Sequence, residues 1–270
     1  AQETAEAIFE HYLPRFAGEE LPETKSGTVL SMAEKLFNLS SHFLLGNIPS
    51  GSQDPFALRR QATGLLRIIL DNKLKINVDQ IIKLTMEIVE INLENLDNAA
   101  SELKEFIKQR LDNLLSEENV RYDIINAVIN INDHDLLDIY QRAHKLMNFR
   151  SENSKLFIDL IRGLVRAKNI SEKAENKLEV DAGLLVEDEE KELYKAVNQR
   201  ESEIKRFFNS GQYQKGLYLL VELKEYIDDF LDSVMVMVDD QEVKNNRLAL
   251  LACISELMSE VMNIEEIALD

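Results

Sequence analysis

All four prolines of the 270-residue chain, Pro14, Pro22, Pro49 and Pro55, fall in its first 55 residues, and residues 56–270 contain none. A proline inside a helix removes a backbone donor and clashes with the preceding turn, so its absence frees the rest of the chain to run in long helices. Apolar residues recur there at three- and four-residue spacing, and no convincing period-two stretch appears. The expected fold class is all-α.

The spacing predicts a first helix to about Leu13, with Ala5, Ile8, Phe9 and Tyr12 as its apolar face. Further helices are expected over 29–45, 55–72, 78–91, 98–116, 120–131 and 135–149. Asp97 should cap the 98–116 helix, and Ser151 the helix after 149. Residues 169–190 read as a charge-rich surface loop, followed by helices over 191–209, 213–236 and from 241. Val234–Val238, VMVMV, is too short to assign, and its two methionines read as core filler. A domain boundary is expected near residue 149, dividing 1–149 from 150–270.

One stretch breaks the pattern. LGNIPSGSQDPFALRRQA, Leu45–Ala62, crowds two glycines and two prolines into an ordered loop before a helix resumes. Asp54 should act as N-cap with Pro55 at the first helical position. Phe56, Arg59 and Arg60 then fall on the first turns. A helix N-terminus flanked by arginines could hold an anion such as a phosphate; equally, the arginines could pair with the chain's many carboxylates.

Hydrophobic residues make up 45% and charged residues 30%, a globular profile. No apolar run approaches the ~20 residues that a membrane span needs. The opening AQETAEAIFEHYLPRF lacks Met, a basic start and an apolar signal segment, so a cut or processed chain is expected. Cys253 stands alone on an apolar helix face, where it reads as filler, and a reducing cytoplasm fits. The net charge of −18 argues against wholesale nucleic-acid binding, which relies on Lys and Arg, but leaves room for a local basic face.

Chemistry is sparse. His11, His42, His134 and His144 lack zinc-ligand spacing, and His134-Asp135 is a lone dipeptide that reads as a loop histidine beside a cap. No phosphate-binding glycine loop or other ATP motif is present, so no catalytic residue and no metal ligand is assigned.

Three separated segments carry a family resemblance. EHYLPRFAGEELPETKSG, Glu10–Gly27, is similar to E-H-Y-L-P-R-F-A-G-D-x-L-P-x-T-x-x-G of the β subunits of bacterial glycyl-tRNA synthetases. IPSGSQDPFALRRQATG resembles their I-P-T-G-S-x-D-P-F-A-L-R-R-x-A-x-G, and DSVMVMVDDQEVKNNRLALL, Asp232–Leu251, resembles V-M-V-M-x-x-D-x-x-x-R-x-N-R-L-x-L-L. The resemblance implies the C-terminal part of such a subunit: an HD-like helical domain over 1–149 and an anticodon-binding helical bundle over 150–270. Where the family usually reads A-D-K-L-D-x-L, this chain reads MAEKLFNL, Met32–Leu39, with Glu34 and Phe37 for the two aspartates. Phe37 cannot ligate a metal, so metal-dependent hydrolysis is not expected.

The resemblance further implies recognition of glycine tRNA in support of ATP-dependent attachment of glycine. The adenylate chemistry would lie on a separate α subunit, where ATP and Mg²⁺ are expected, within a cytoplasmic α/β heterotetramer. The piece of the ligase in hand would bind no cofactor itself and catalyse nothing alone. Candidate tRNA contacts are Lys244, Asn246 and Arg247 at the start of the last helix, Arg200, Lys205 and Arg206 with Phe207 on the 191–209 helix, and Arg59 and Arg60. The alternatives are an HD-type metal-dependent phosphohydrolase using His11, His42 or His134, and an acidic helical scaffold for subunit assembly.

Overall fold

The sequence folds, in a computed structural model, into eleven α-helices among the described residues, 2–16, 18–90, 93–131, 134–174 and 179–269. No strand occurs among them; the only β-type pairings described are isolated bridges, Ser50–Gln53 and Asn77–Asp135. The all-α expectation holds. No described helix is long and apolar enough to cross a membrane. The chain divides into two compact units, residues 1–119 with 132–140, and residues 120–131 with 141–270.

The first unit contains α1 (Gln2–Glu10), α2 (Lys25–Leu44), α3 (Leu58–Asp71), α4 (Val78–Val89) and α5 (Leu96–Glu117). Leu39 and Phe43 of α2, Leu65 and Leu66 of α3, Ile82 of α4 and Leu103 and Leu111 of α5 form its core. Phe43 and Phe106 meet there with ring centroids 5.2 Å apart.

The start of α2 differs most from expectation. Glu10, at the end of α1, is buried, whereas Ile8, Phe9 and Tyr12 are exposed, Phe9 by 69%. The predicted apolar face therefore points to solvent. Apolar spacing records a face but not what covers it, and here a carboxylate decides the docking. Glu10 accepts from the backbone N–H of Glu23 and Thr24, each at 3.1 Å, and from the Thr24 hydroxyl. Thr24 in turn caps α2 by accepting from Gly27 N at 3.0 Å. Only glycine fits at 27, because an added Cβ would lie 1.9 Å from Glu10 Oε2. The Thr24 hydroxyl holds the Glu10 carboxyl below its ordinary range, with the two backbone donors adding to it against burial.

The second unit contains α6 (Tyr122–Ile129), α8 (Ser154–Ser171), α9 (Asp188–Asn209), α10 (Tyr213–Ser233) and α11 (Gln241–Ser259). The division falls inside α7 (Leu136–Glu152), which continues past the Ser151 expected to begin a new helix. Ser151 donates to Met147 O at 2.9 Å, an ordinary mid-helix bond, and the break comes at Asn153. Ser210 and Gly211 separate α9 from α10 as expected, with Gly211 at φ 71°. The core is built from Phe157 and Leu160 of α8, Leu193 and Ile204 of α9, Leu220 and Ile227 of α10, and Leu251 and Ile254 of α11. Val234–Val238 forms neither helix nor strand. Its valines 234 and 236 are buried, while Met235 is 73% exposed and Met237 also faces out, so these methionines are not core filler.

Candidate nucleic-acid interface

In the first unit the arginines of the glycine- and proline-rich loop belong to α3. That helix begins at Leu58 rather than Pro55, because Ala57 adopts a left-handed conformation at φ 55° and delays the first turn. Asp54 still serves the helix, accepting from Leu58 N at 2.8 Å and Arg59 N at 3.0 Å. The anion expected at this N-terminus is thus supplied by the chain itself. Arg59 folds back over the loop and donates to Gly51 O at 2.8 Å and Gln53 O at 3.3 Å.

Arg59, Thr63 and Arg67 recur every fourth residue and share one face of α3, with Arg60 beside them. Arg67 donates from Nη2 to Glu19 O at 3.0 Å, while its buried Nη1 has no hydrogen-bond partner among the described residues. Arg60 is exposed and makes no hydrogen bond or ion pair among them. These arginines border a hollow of about 130 Å³ with Pro14 and Phe16 on its other wall and, among the described residues, no carboxylate in its lining. Arg110 of α5 lies within the field of Arg59: burial lowers its pKa first, the charge of Arg59 lowers it further, and Asp54 and Asp112 act against both.

In the second unit the family-like residues of α11 turn inward. Asp240 caps the helix, accepting from Glu242 N and Val243 N. Arg247 is 5% exposed; its Nε binds the fully buried Glu190, its Nη1 donates to Met235 O at 2.8 Å, and its Nη2 lies 3.7 Å from Glu187. The Asn246 side chain pairs with the backbone of Asp181 in both directions, accepting at 2.7 Å and donating at 3.0 Å. The structure gives both side chains an internal role in place of the surface contact expected. Lys244 remains half-buried, with no side-chain ion pair among the described residues.

The cations of α9 are more open. Arg200 pairs with Glu222 at 3.0 Å, Lys205 with Glu201 at 2.7 Å and Arg206 with Glu203 at 3.0 Å. Surface pairs of this kind are worth little and exchange readily for other anions. At the α9–α10 turn, Arg206 and Lys215 both lie over the Phe207 ring, 5.1 and 5.4 Å from its centroid. Cations around an aromatic face are the pairing that single-stranded nucleic acid uses, phosphate on charge and base on ring. By contrast, a groove of about 790 Å³ beside α8, α9 and α11 is edged by Glu172, Glu179, Glu201 and Glu256, which would repel phosphate.

Sequence reading missed Arg67 and Lys215. Arg67 was readable as the eighth residue after Arg59 on one helical face. Lys215 belongs with Phe207 only because the chain reverses between them. Three of the histidines have partners within the first unit. His134 Nδ1 lies 2.5 Å from Asp79, beside the Asp135 cap of α7; His42 stacks on Phe56 at 4.2 Å; and His11 Nδ1 sits against Ile8 O. Among the described residues no group of three or more His, Cys, Asp and Glu could hold a metal ion.

Comparison with known proteins places both parts of the chain. The family profile "Glycyl-tRNA synthetase beta subunit" matches residues 1–130, and the profile "DALR anticodon binding domain" matches residues 160–268. The glycine–tRNA ligase beta subunit of Halothermothrix orenii is 49% identical over 269 residues, covering 100% of this chain and 39% of that protein. That of Syntrophomonas wolfei is 41% identical over 271 residues, and that of Clostridioides difficile 36% over 267 residues, each covering 38% of the relative. The chain spans about two fifths of the length of these relatives.

Proposed function

Because this chain belongs to the glycyl-tRNA synthetase beta-subunit family, and corresponds to the C-terminal part of that subunit, we propose that it contributes tRNA recognition to a glycine–tRNA ligase. The second unit grips the anticodon arm of glycine tRNA. The adenylate chemistry, with ATP and Mg²⁺, belongs to a separate α subunit in a cytoplasmic heterotetramer. The observation that carries this reading is the anticodon-binding profile, which matches residues 160–268, all within the second unit.

Within that unit the contacts fall on the cations that are not locked inside the protein. Arg206, Phe207 and Lys215 form the centre, with Lys205, Arg200 and Lys244 supplying phosphate contacts. Asn246 and Arg247 act from inside, holding the start of α11 against Asp181, Glu190 and Met235. The acidic body repels RNA elsewhere and so restricts where a tRNA can settle.

Filter binding of the 270-residue chain across a salt series tests this. Glycine tRNA should bind more tightly than a version with a changed anticodon, and binding should weaken as salt rises. Arg206→Ala should weaken glycine tRNA binding and flatten its salt dependence by about one phosphate contact. Equal binding of the two tRNAs would remove anticodon recognition from this chain.

A further inference from the structure

The arginine hollow on α3 is the feature that the anticodon reading leaves unused. In a chain of net charge −18, Arg59, Arg60 and Arg67 converge on one small cavity in whose lining no carboxylate takes part among the described residues. Arg59 and Arg67 are held by backbone carbonyls, which fix a guanidinium without cancelling its charge. Arg67 Nη1 is buried with no partner among the described residues, an arrangement that is costly unless an acceptor meets it. The cavity depends on Gly64: a Cβ there would come within 3.2 Å of Pro14 and 3.1 Å of Lys35.

A second hollow of about 230 Å³ shares Pro14 and Arg60 with the first. Its character is different. Exposed Tyr12 offers a ring for stacking, Asn38 an amide, and Gln61 a buried Oε1 with no donor among the described residues, while Arg15 and Glu34 add one charge of each sign and keep a phosphate on the side of the first hollow. Lys35, beneath it, is occupied by Leu13 O at 2.9 Å and Ser31 Oγ at 2.7 Å. A phosphate site joined to a stacking site with an unmet acceptor matches one nucleotide with its phosphate and its base or ribose separated.

We propose that this double hollow of the first unit binds a single unpaired RNA nucleotide. The phosphate sits among Arg59, Arg60 and Arg67. The base stacks on Tyr12, and a base amino group or a ribose hydroxyl donates to Gln61 Oε1. The choice of RNA as the source of the nucleotide rests on the tRNA-binding reading; the chemistry of the hollow does not.

The test uses the whole 270-residue chain and a short unstructured oligoribonucleotide without an anticodon sequence, followed by fluorescence anisotropy across salt. Arg60→Ala should weaken binding about tenfold, the worth of one charge-assisted hydrogen bond, and lower the salt slope by about one contact. Gln61→Leu should weaken binding with the salt slope unchanged, because it removes an acceptor and no charge. Inorganic phosphate and AMP should both compete, AMP the better. Equal binding by the parent and both variants would overturn the proposal. So would competition-grade binding of phosphate or AMP without binding of the oligoribonucleotide, which would make the source a free anion. Arg206→Ala should leave this oligonucleotide unaffected, so failure of the anticodon reading and failure of this one are separately visible.

Discussion

Arg247 of the second unit and the arginines of α3 in the first are the same residue type put to opposite ends. Arg247 meets a carboxylate, Glu190, that is 0% exposed, and the pair neutralises itself inside the protein. Arg59 and Arg67 meet carbonyls, so their orientation is fixed and their charge is left for something else. The identity of the partner, more than the depth of burial, decides whether an arginine holds a fold together or waits for a ligand. A buried ion pair gains its attraction at the expense of desolvating two charges, and it destabilises strongly when one member is removed. A carbonyl-held arginine carries no such liability.

Removing Arg247 should therefore have the largest effect. Arg247→Ala leaves Glu190 charged and unpaired, and should cost about 3–5 kcal/mol, read by urea unfolding. A loss below about 1 kcal/mol, the range of exposed pairs, would break the contrast.

The mirror case sharpens it. Glu10 is a carboxylate held by hydroxyl and amide donors with no cation in its hydrogen-bond set. Its pKa lies below the ordinary 4.5, so its contribution to stability is full above pH 4.5 and is lost as pH falls through the lower folded value. Thermal melts of parent and Glu10→Gln from pH 3 to pH 7 should differ most at the upper end and converge in acid. A constant difference across that range would show that ionisation plays no part in the cap.

The smallest effects should come from α3 itself. Arg59→Ala loses two bonds to loop carbonyls and should cost about 1 kcal/mol, whereas Arg60→Ala should stay within about 0.5 kcal/mol. Equal and large losses at both positions in chemical denaturation would return α3 to the same class as Arg247.

How much of this was readable beforehand follows from distance along the chain. Helices α2, α9, α10 and α11 were legible because three- and four-residue periodicity is local. The loop at 45–57 was legible from its glycines and prolines. The exposed face of α1 was not, since Glu10 is tied to residues 13 and 14 positions away. Asn246 and Arg247 were assigned to RNA contact because they match the family-like pattern and suit phosphate and base contacts, yet their partners lie 65 and 57 residues earlier in sequence. The same holds for all three family-like segments: Glu10, Thr24 and Gly27, then Asp54 and Arg59, then Asp240, Asn246 and Arg247 all make internal ties. Such motifs mark the family through the ties that hold its fold together.

Met235 offers one practical handle. Its backbone carbonyl receives the Arg247 guanidinium while its thioether stands in open water. A methionine-selective label would react there and at Met237, the two outward-facing methionines of this run, without replacing any atom of the buried pair. Loosening of α11 could then be watched as a change in the label's surroundings, in a protein whose sequence has not been altered at all.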